Sequence, residues 1–138
     1  MSSIVVGYDG TDGARAALAE AARLARALGD RIVLVFSFEA PRIGGEAADL
    51  DAAIATRAHA VLEEACATLA GSGVEVEQRC LAMDPAQGLI ATGDELDARM
   101  IVVGSYGEHL LKGALLGSTP YRLVHLADRP VLVVRAPD

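Results

Sequence analysis

Tryptophan is absent from this 138-residue chain, and lysine occurs once, at Lys112. The aromatic residues are Tyr8, Phe36, Phe38, Tyr106 and Tyr121, so a core built from this sequence must be aliphatic. The 52% of residues that are apolar supply it as Val, Leu, Ile and Ala. No apolar run approaches the roughly 18–20 residues of a membrane span, so no membrane partner is expected. Basic clusters are also missing. A net charge of −7 argues against non-specific nucleic-acid binding, which requires cations that displace counterions from phosphates. Cys66 and Cys80 lack CxxC spacing, which points to ordinary buried or half-buried thiols rather than a disulfide framework or a metal site. His59, His109 and His125 have no ligand spacing; His59 reads as an exposed helix residue and His125 as a partly packed one. The first residues, Met1-Ser2-Ser3-Ile4, are not a basic segment followed by a cleavable apolar one, and a cytoplasmic location is the expectation.

Two phosphate-binding motifs are missing as well. There is no GxxxxGK[ST], and Gly7-x-x-Gly10-x-x-Gly13 departs from the GxGxxG of dinucleotide sites. Asp9 has no adjacent acid and the third strand ends in Cys80-Leu81-Ala82-Met83, so a phospho-receiver site is unsupported.

What is present alternates. Ile4 to Tyr8 is a short β-branched run followed by the turn and cap residues Asp9 to Gly13. From Ala14 the apolar positions 14, 17, 18, 21, 24, 25 and 28 form one helical face that stops at Gly29. Arg31 to Ser37 scarcely alternates, which predicts a strand buried on both faces of a parallel sheet. Residues 39–50, with Pro41 and Gly44-Gly45, read as an irregular loop long enough to be functional. A helix follows with Ile54, Ala58, Val61, Leu62, Ala65 and Leu69 on one face. Val74 to Leu81 alternates as an edge strand with one wet side. Asp84-Pro85-Ala86-Gln87 starts a third helix, with Asp84 as cap and Pro85 in first position. Met100–Val103, a helix over about 119–127 and Val131–Arg135 complete the chain. Five strands alternating with four helices predict one domain, residues 1–138, folded as a doubly wound parallel α/β sheet. Ligands of such sheets bind beyond the carboxyl ends of the strands, where strand order reverses.

One stretch carries chemistry. Gly104-Ser105-Tyr106-Gly107, nine further residues and Gly117-Ser118-Thr119 lead from a strand to a helix start. Ser118 or Thr119 is expected as the N-cap, with Pro120 in the first turn. Glycines admit close backbone approach and a helix N-terminus offers unpaired N–H groups, a combination that suits phosphate. Lys112, inside this loop, is either solvated or a phosphate contact. Asp9 is either a turn former or a ligand.

With Val5-Val6-Gly7-Tyr8-Asp9-Gly10, Ile101 to Gly107, Leu115 to Thr119 and Arg129 to Val134, the chain resembles the universal stress proteins over essentially its whole length. The family's nucleotide signature G-x2-G-x9-G-[ST] is matched at Gly104, Gly107, Gly117 and Ser118. The resemblance implies an adenine nucleotide alpha hydrolase-like fold with strand order 3-2-1-4-5 and ATP in the crevice. It places Asp9 at the ribose or metal-phosphate region, with Mg or Mn reaching Asp9 through the nucleotide, and counts Tyr8 and Gly10 beside it among the nucleotide-binding residues. Ser37 and Met83 fall near adenine, and Gly104, Gly107, Gly117, Ser118 and Thr119 at the phosphates. It further implies a homodimer through Val131–Arg135 and a nucleotide-dependent regulatory or sensor function in stress response. A dimeric module that binds no nucleotide, and a slow ATPase or self-phosphorylating enzyme, are the alternatives. No catalytic residue is identified. Three positions depart from the pattern: Tyr106 replaces the frequent His or Arg, Met83 the common Gly, and Pro120 a residue with an N–H.

Overall fold

The computed structural model describes residues 1–39, 47–106 and 116–137, with backbone alone for 47–51. Its elements are β1 (Ser3–Gly7), α1 (Asp12–Leu28), β2 (Arg31–Ser37), α2 (Ala47–Thr68), β3 (Val76–Leu81), α3 (Pro85–Leu96), β4 (Met100–Gly104), α4 (Ser118–Leu126) and β5 (Val131–Val134). The strands form one parallel sheet in the order β3-β2-β1-β4-β5, as the resemblance implied. β1 lies at the centre, where chain progress reverses from β2 on one side to β4 on the other.

Burial follows residue type. Ile4, Val5, Val6, Ile32, Val33, Leu34, Ile101 and Val102 are fully enclosed, because helices cover both faces of the central strands. Ile4, Val6, Ile32, Leu34 and Val102 face α1 and α2; Val5, Val33, Val35, Ile101 and Val103 face α3 and α4. Alternate residues of each strand thus feed two separate cores. Towards the sheet α1 presents Gly13, Ala14, Ala17, Leu18, Ala21, Ala22 and Ala25, small residues that let the helix lie close. Gly29 ends α1 in the left-handed conformation at φ 71°.

Five expectations are revised. Cys80 is exposed rather than buried or half-buried, on a strand at the edge of the sheet. α2 begins at Ala47, so the stretch read as irregular over 39–50 is partly helix; Ala47 and Ala48, the best helix formers, extend it backwards. Residues 40–46 lie outside the described residues. β3 begins at Val76 rather than Val74. The α4 cap is Gly117, neither Ser118 nor Thr119: Gly117 is extended and its carbonyl accepts from Tyr121 N at 3.1 Å, closing the first turn. Pro120 therefore stands third in the helix, where its missing N–H has no helical partner to lose. His125 is exposed, with its ring 4.7 Å from that of Tyr121, because Leu123 alone among its neighbours turns fully inward.

Among the described residues no helix is long and apolar enough to cross a membrane.

Candidate functional site

The reversal of strand order leaves a crevice of about 690 Å³ beyond the carboxyl ends of β1, β2 and β4. Gly7, Tyr8 and Asp9 line it from β1, Val35 to Glu39 from β2, Val103, Gly104 and Tyr106 from β4, and Gly117 to Pro120 from the start of α4. Its volume falls within the ~300–1,000 Å³ of small-molecule sites.

Three helix starts border this region, and they differ. At α1, Thr11 Oγ1 accepts from Ala14 N at 3.3 Å. At α3, Asp84 Oδ2 accepts from Gln87 N at 3.1 Å. At α4, Gly117 provides no side-chain cap. Gly117 N itself donates to Ser105 O at 2.7 Å, which ties the start of α4 to the end of β4. The first-turn N–H groups of Ser118 and Thr119 thus meet no cap, and the helix dipole adds partial positive charge at the same place.

The predicted site residues divide. Asp9, Ser37, Gly104, Gly117, Ser118 and Thr119 are brought together on the crevice wall. Tyr8 lines it too, although its ring belongs to the α1/α2 core and its N–H bonds Val35 O at 2.9 Å. Burial pushes the Tyr8 phenol up in pKa, against a hydrogen bond from Arg15. Gly10 and Met83 are not among the lining residues. Gly10 makes a left-handed turn at φ 82° beside Val61, and Met83 packs near Gly88. Gly107 and Lys112 lie outside the described residues. For Asp9 both readings meet: Oδ1 accepts from Thr11 N at 3.1 Å and Thr11 Oγ1 at 2.6 Å, making a turn, while the residue borders the crevice. Ser37 Oγ is buried with no hydrogen-bond partner among the described residues.

Sequence reasoning missed Arg57, Asp84 and Arg122 as members of this wall. Arg122 Nη1 donates to Asp84 Oδ1 at 2.7 Å, linking α4 to the start of α3. Burial raises the Asp84 carboxyl, but hydrogen bonds from Arg122 and Gln87 N outweigh it and hold the group below the ordinary carboxylate range. The signal for Arg122 was its spacing: three and four residues after Thr119 and Ser118, it shares their helix face.

The model of the universal stress protein family matches residues 1–135. A universal stress protein of Mycobacterium tuberculosis is 30% identical over 139 residues, covering 96% of this chain and 94% of its own. One of Thermus aquaticus is 31% identical over 135 residues, with coverage of 96% and 98%. Among solved structures, a universal stress protein in complex with cAMP is 26% identical at a TM-score of 0.79, covering 99% of this chain and 98% of its own. One from Archaeoglobus fulgidus in complex with dAMP is 25% identical at 0.74, covering 97% and 98%. Fold, crevice and sequence converge: the chain belongs to the universal stress protein family.

Proposed function

We propose that this protein binds ATP in the crevice and acts as a nucleotide-dependent regulatory or sensor module in the stress response of the cytoplasm. The observation that carries the reading is the start of α4. It is uncapped by any side chain and opens onto a crevice of nucleotide size, whereas α1 and α3 are capped. An anion completes such a helix end. Two related structures hold cAMP and dAMP, which supports an adenine nucleotide; the triphosphate is the finer claim.

In this reading the backbone around Ser37 meets adenine, and Asp9 meets the ribose or a phosphate-bound cation. Ser118 and Thr119, with Gly107, meet the phosphates; Pro120 contributes no N–H. Among the described residues no group of three or more His, Cys, Asp or Glu could hold a metal ion. Mg or Mn would therefore be held chiefly by the phosphates, with Asp9 as the protein carboxylate. Binding, rather than turnover, is the function.

A dimeric interaction module without nucleotide is the second reading. It is favoured by the β5 edge and by Tyr121, Val124 and Leu126, which are more than half or about half exposed on the adjoining helix.

Denaturing the purified protein and chromatographing the supernatant separates the two. Released adenine nucleotide, together with calorimetric ATP binding that Gly107→Val abolishes while far-UV dichroism stays native, is the expected result. A protein that carries none and gives no heat with ATP belongs to the second reading.

A further inference from the structure

At the crevice wall an ion pair, Arg122 with Asp84, joins two elements that open onto the same space. Arg122 lies on α4, about 4.5 Å along the helix axis from Thr119 and about 6 Å from Ser118, at ~1.5 Å per residue. Helical side chains lean towards the N-terminus, so the guanidinium is carried back towards the uncapped first turn. Its Nη1 donates to Asp84 Oδ1, and Asp84 Oδ2 is occupied as the α3 cap. Both side chains line the crevice, and both keep partial exposure, 38% for Arg122 and 19% for Asp84. A guanidinium has five N–H donors in a planar fork, of which this carboxylate oxygen takes one.

We propose that Arg122 reads the number of phosphates on the bound nucleotide, and that Asp84 is the competing carboxylate that occupies it and lowers affinity for polyphosphates. The proposal rests on the nucleotide reading above and adds selectivity to it. Adenosine leaves the pair intact, because it brings no charge to the α4 start. Each added phosphate brings oxygens that match the guanidinium fork and negative charge that the Asp84 carboxylate opposes. The pair thus sets a gradient from adenosine to ATP. A purely structural role, tying α4 to α3, would leave ligand discrimination unchanged and alter only stability.

The test is calorimetric titration of the wild-type chain and two variants with adenosine, AMP and ATP, alongside thermal melts. Arg122→Ala is expected to weaken ATP by about tenfold and adenosine by less than about twofold, since a hydrogen bond to a charged group is lost only for the former. Arg122→Gln, which keeps the stem, carries the same comparison should the alanine variant melt early. Asp84→Asn retains a good helix cap and removes the opposing charge, so ATP is expected to bind about threefold or more tighter, with adenosine unchanged. Equal losses for adenosine and ATP in Arg122→Ala, no loss for either, or weaker ATP binding by Asp84→Asn would each overturn the proposal. Those results would leave the nucleotide site standing. A wild-type chain that binds none of the three ligands would remove both the site and its selectivity.

Discussion

Gly104 and Gly13 meet backbone to backbone. A β-carbon on Gly104 would lie 2.7 Å from Gly13 C and 2.8 Å from its carbonyl oxygen, distances that real side chains do not reach. The first glycine of the phosphate signature is therefore demanded by the packing of α1 against the end of β4, whatever the crevice holds.

Gly104→Ala is accordingly a stability variant. Overpacking against another side chain costs about 1–3 kcal/mol, and here the obstacle is backbone, which cannot rotate away, so the upper end applies. The midpoint of urea unfolding should fall well below wild type even with no nucleotide present. An unchanged midpoint would show that α1 moves freely off the sheet.

Ser37 and Gly88 form a second tight place. The Ser37 hydroxyl lies against Gly88, closer than a β-carbon there would allow, and this hydroxyl has no hydrogen-bond partner among the described residues. Ser37→Ala removes a desolvated polar group and should raise stability by about 1 kcal/mol. Gly88→Ala alone should destabilise, despite the roughly 1 kcal/mol that alanine offers over glycine within a helix. Combined, the two should be more stable than their sum by about 1 kcal/mol or more, the sign of a shared clash. Additive values from chemical denaturation would refute the contact.

How much of this was legible in the sequence depends on the length scale. The sheet was legible because uninterrupted runs such as Ile32 to Val35 allow no exposed face, and the α3 start because Asp84-Pro85 satisfies a local rule. The α4 cap is Gly117 and neither Ser118 nor Thr119, a choice that turns on the bond from Gly117 N to Ser105 O, between residues too far apart in sequence for local pattern to show. Arg122 could be placed on the face of Ser118 and Thr119 by its spacing, but its ion pair could not, for a related reason. Its partner Asp84 is 38 positions away, and local pattern shows Asp84 only as a cap. The early start of α2 was hidden by Pro41 and Gly44-Gly45, which signal a loop without marking where it stops.

Asp84 also gives a pH signature. Its folded pKa lies below the ordinary carboxylate range, so the unfolded chain takes up this proton first as pH falls. The stabilisation is therefore complete above the unfolded pKa of about 4 and is lost as pH drops through the folded value. Melting temperatures of wild type and Asp84→Asn should differ by a constant amount from pH 7 to 5 and converge below pH 4. A gap that widens in acid would contradict the sign.

The β5 edge supports a dimer that can be tested without disturbing the core. Ile101 N donates to Pro130 O and Ser105 N to Val134 O, so the even-numbered residues of β5 face β4 and the N–H groups of Val131 and Val133 point outward. All four β5 side chains are half-buried, shared between the two cores, and a charge at any of them would damage packing. Val133→Pro removes one outward donor instead, a change edge strands tolerate. Light scattering at tens of micromolar should give a dimer for wild type and a monomer for the variant. A monomeric wild type would end the β5 pairing.

Turnover should be slow. Fast phosphoryl transfer needs a base positioned on water together with cations around the leaving group. Two of the three described crevice carboxylates are engaged, Asp9 with Thr11 and Asp84 with Arg122 and Gln87 N, so neither is held ready to orient an attacking water; the third, Glu39, lies past the end of β2. Arg122 supplies a cation near the α4 start, yet a cation without a base stabilises bound phosphate and does not activate the nucleophile. Steady-state phosphate release with magnesium and with manganese should therefore fall far below the roughly 1–100 s⁻¹ of kinases. Arg122→Ala should lower ATP affinity while leaving that residual rate, at saturating ATP, within about twofold of wild type, because a group that contributes only uniform binding changes KM and not kcat. A rate inside the kinase range that collapses in Arg122→Ala at saturation would instead make the crevice an enzyme site, with Arg122 acting in its transition state.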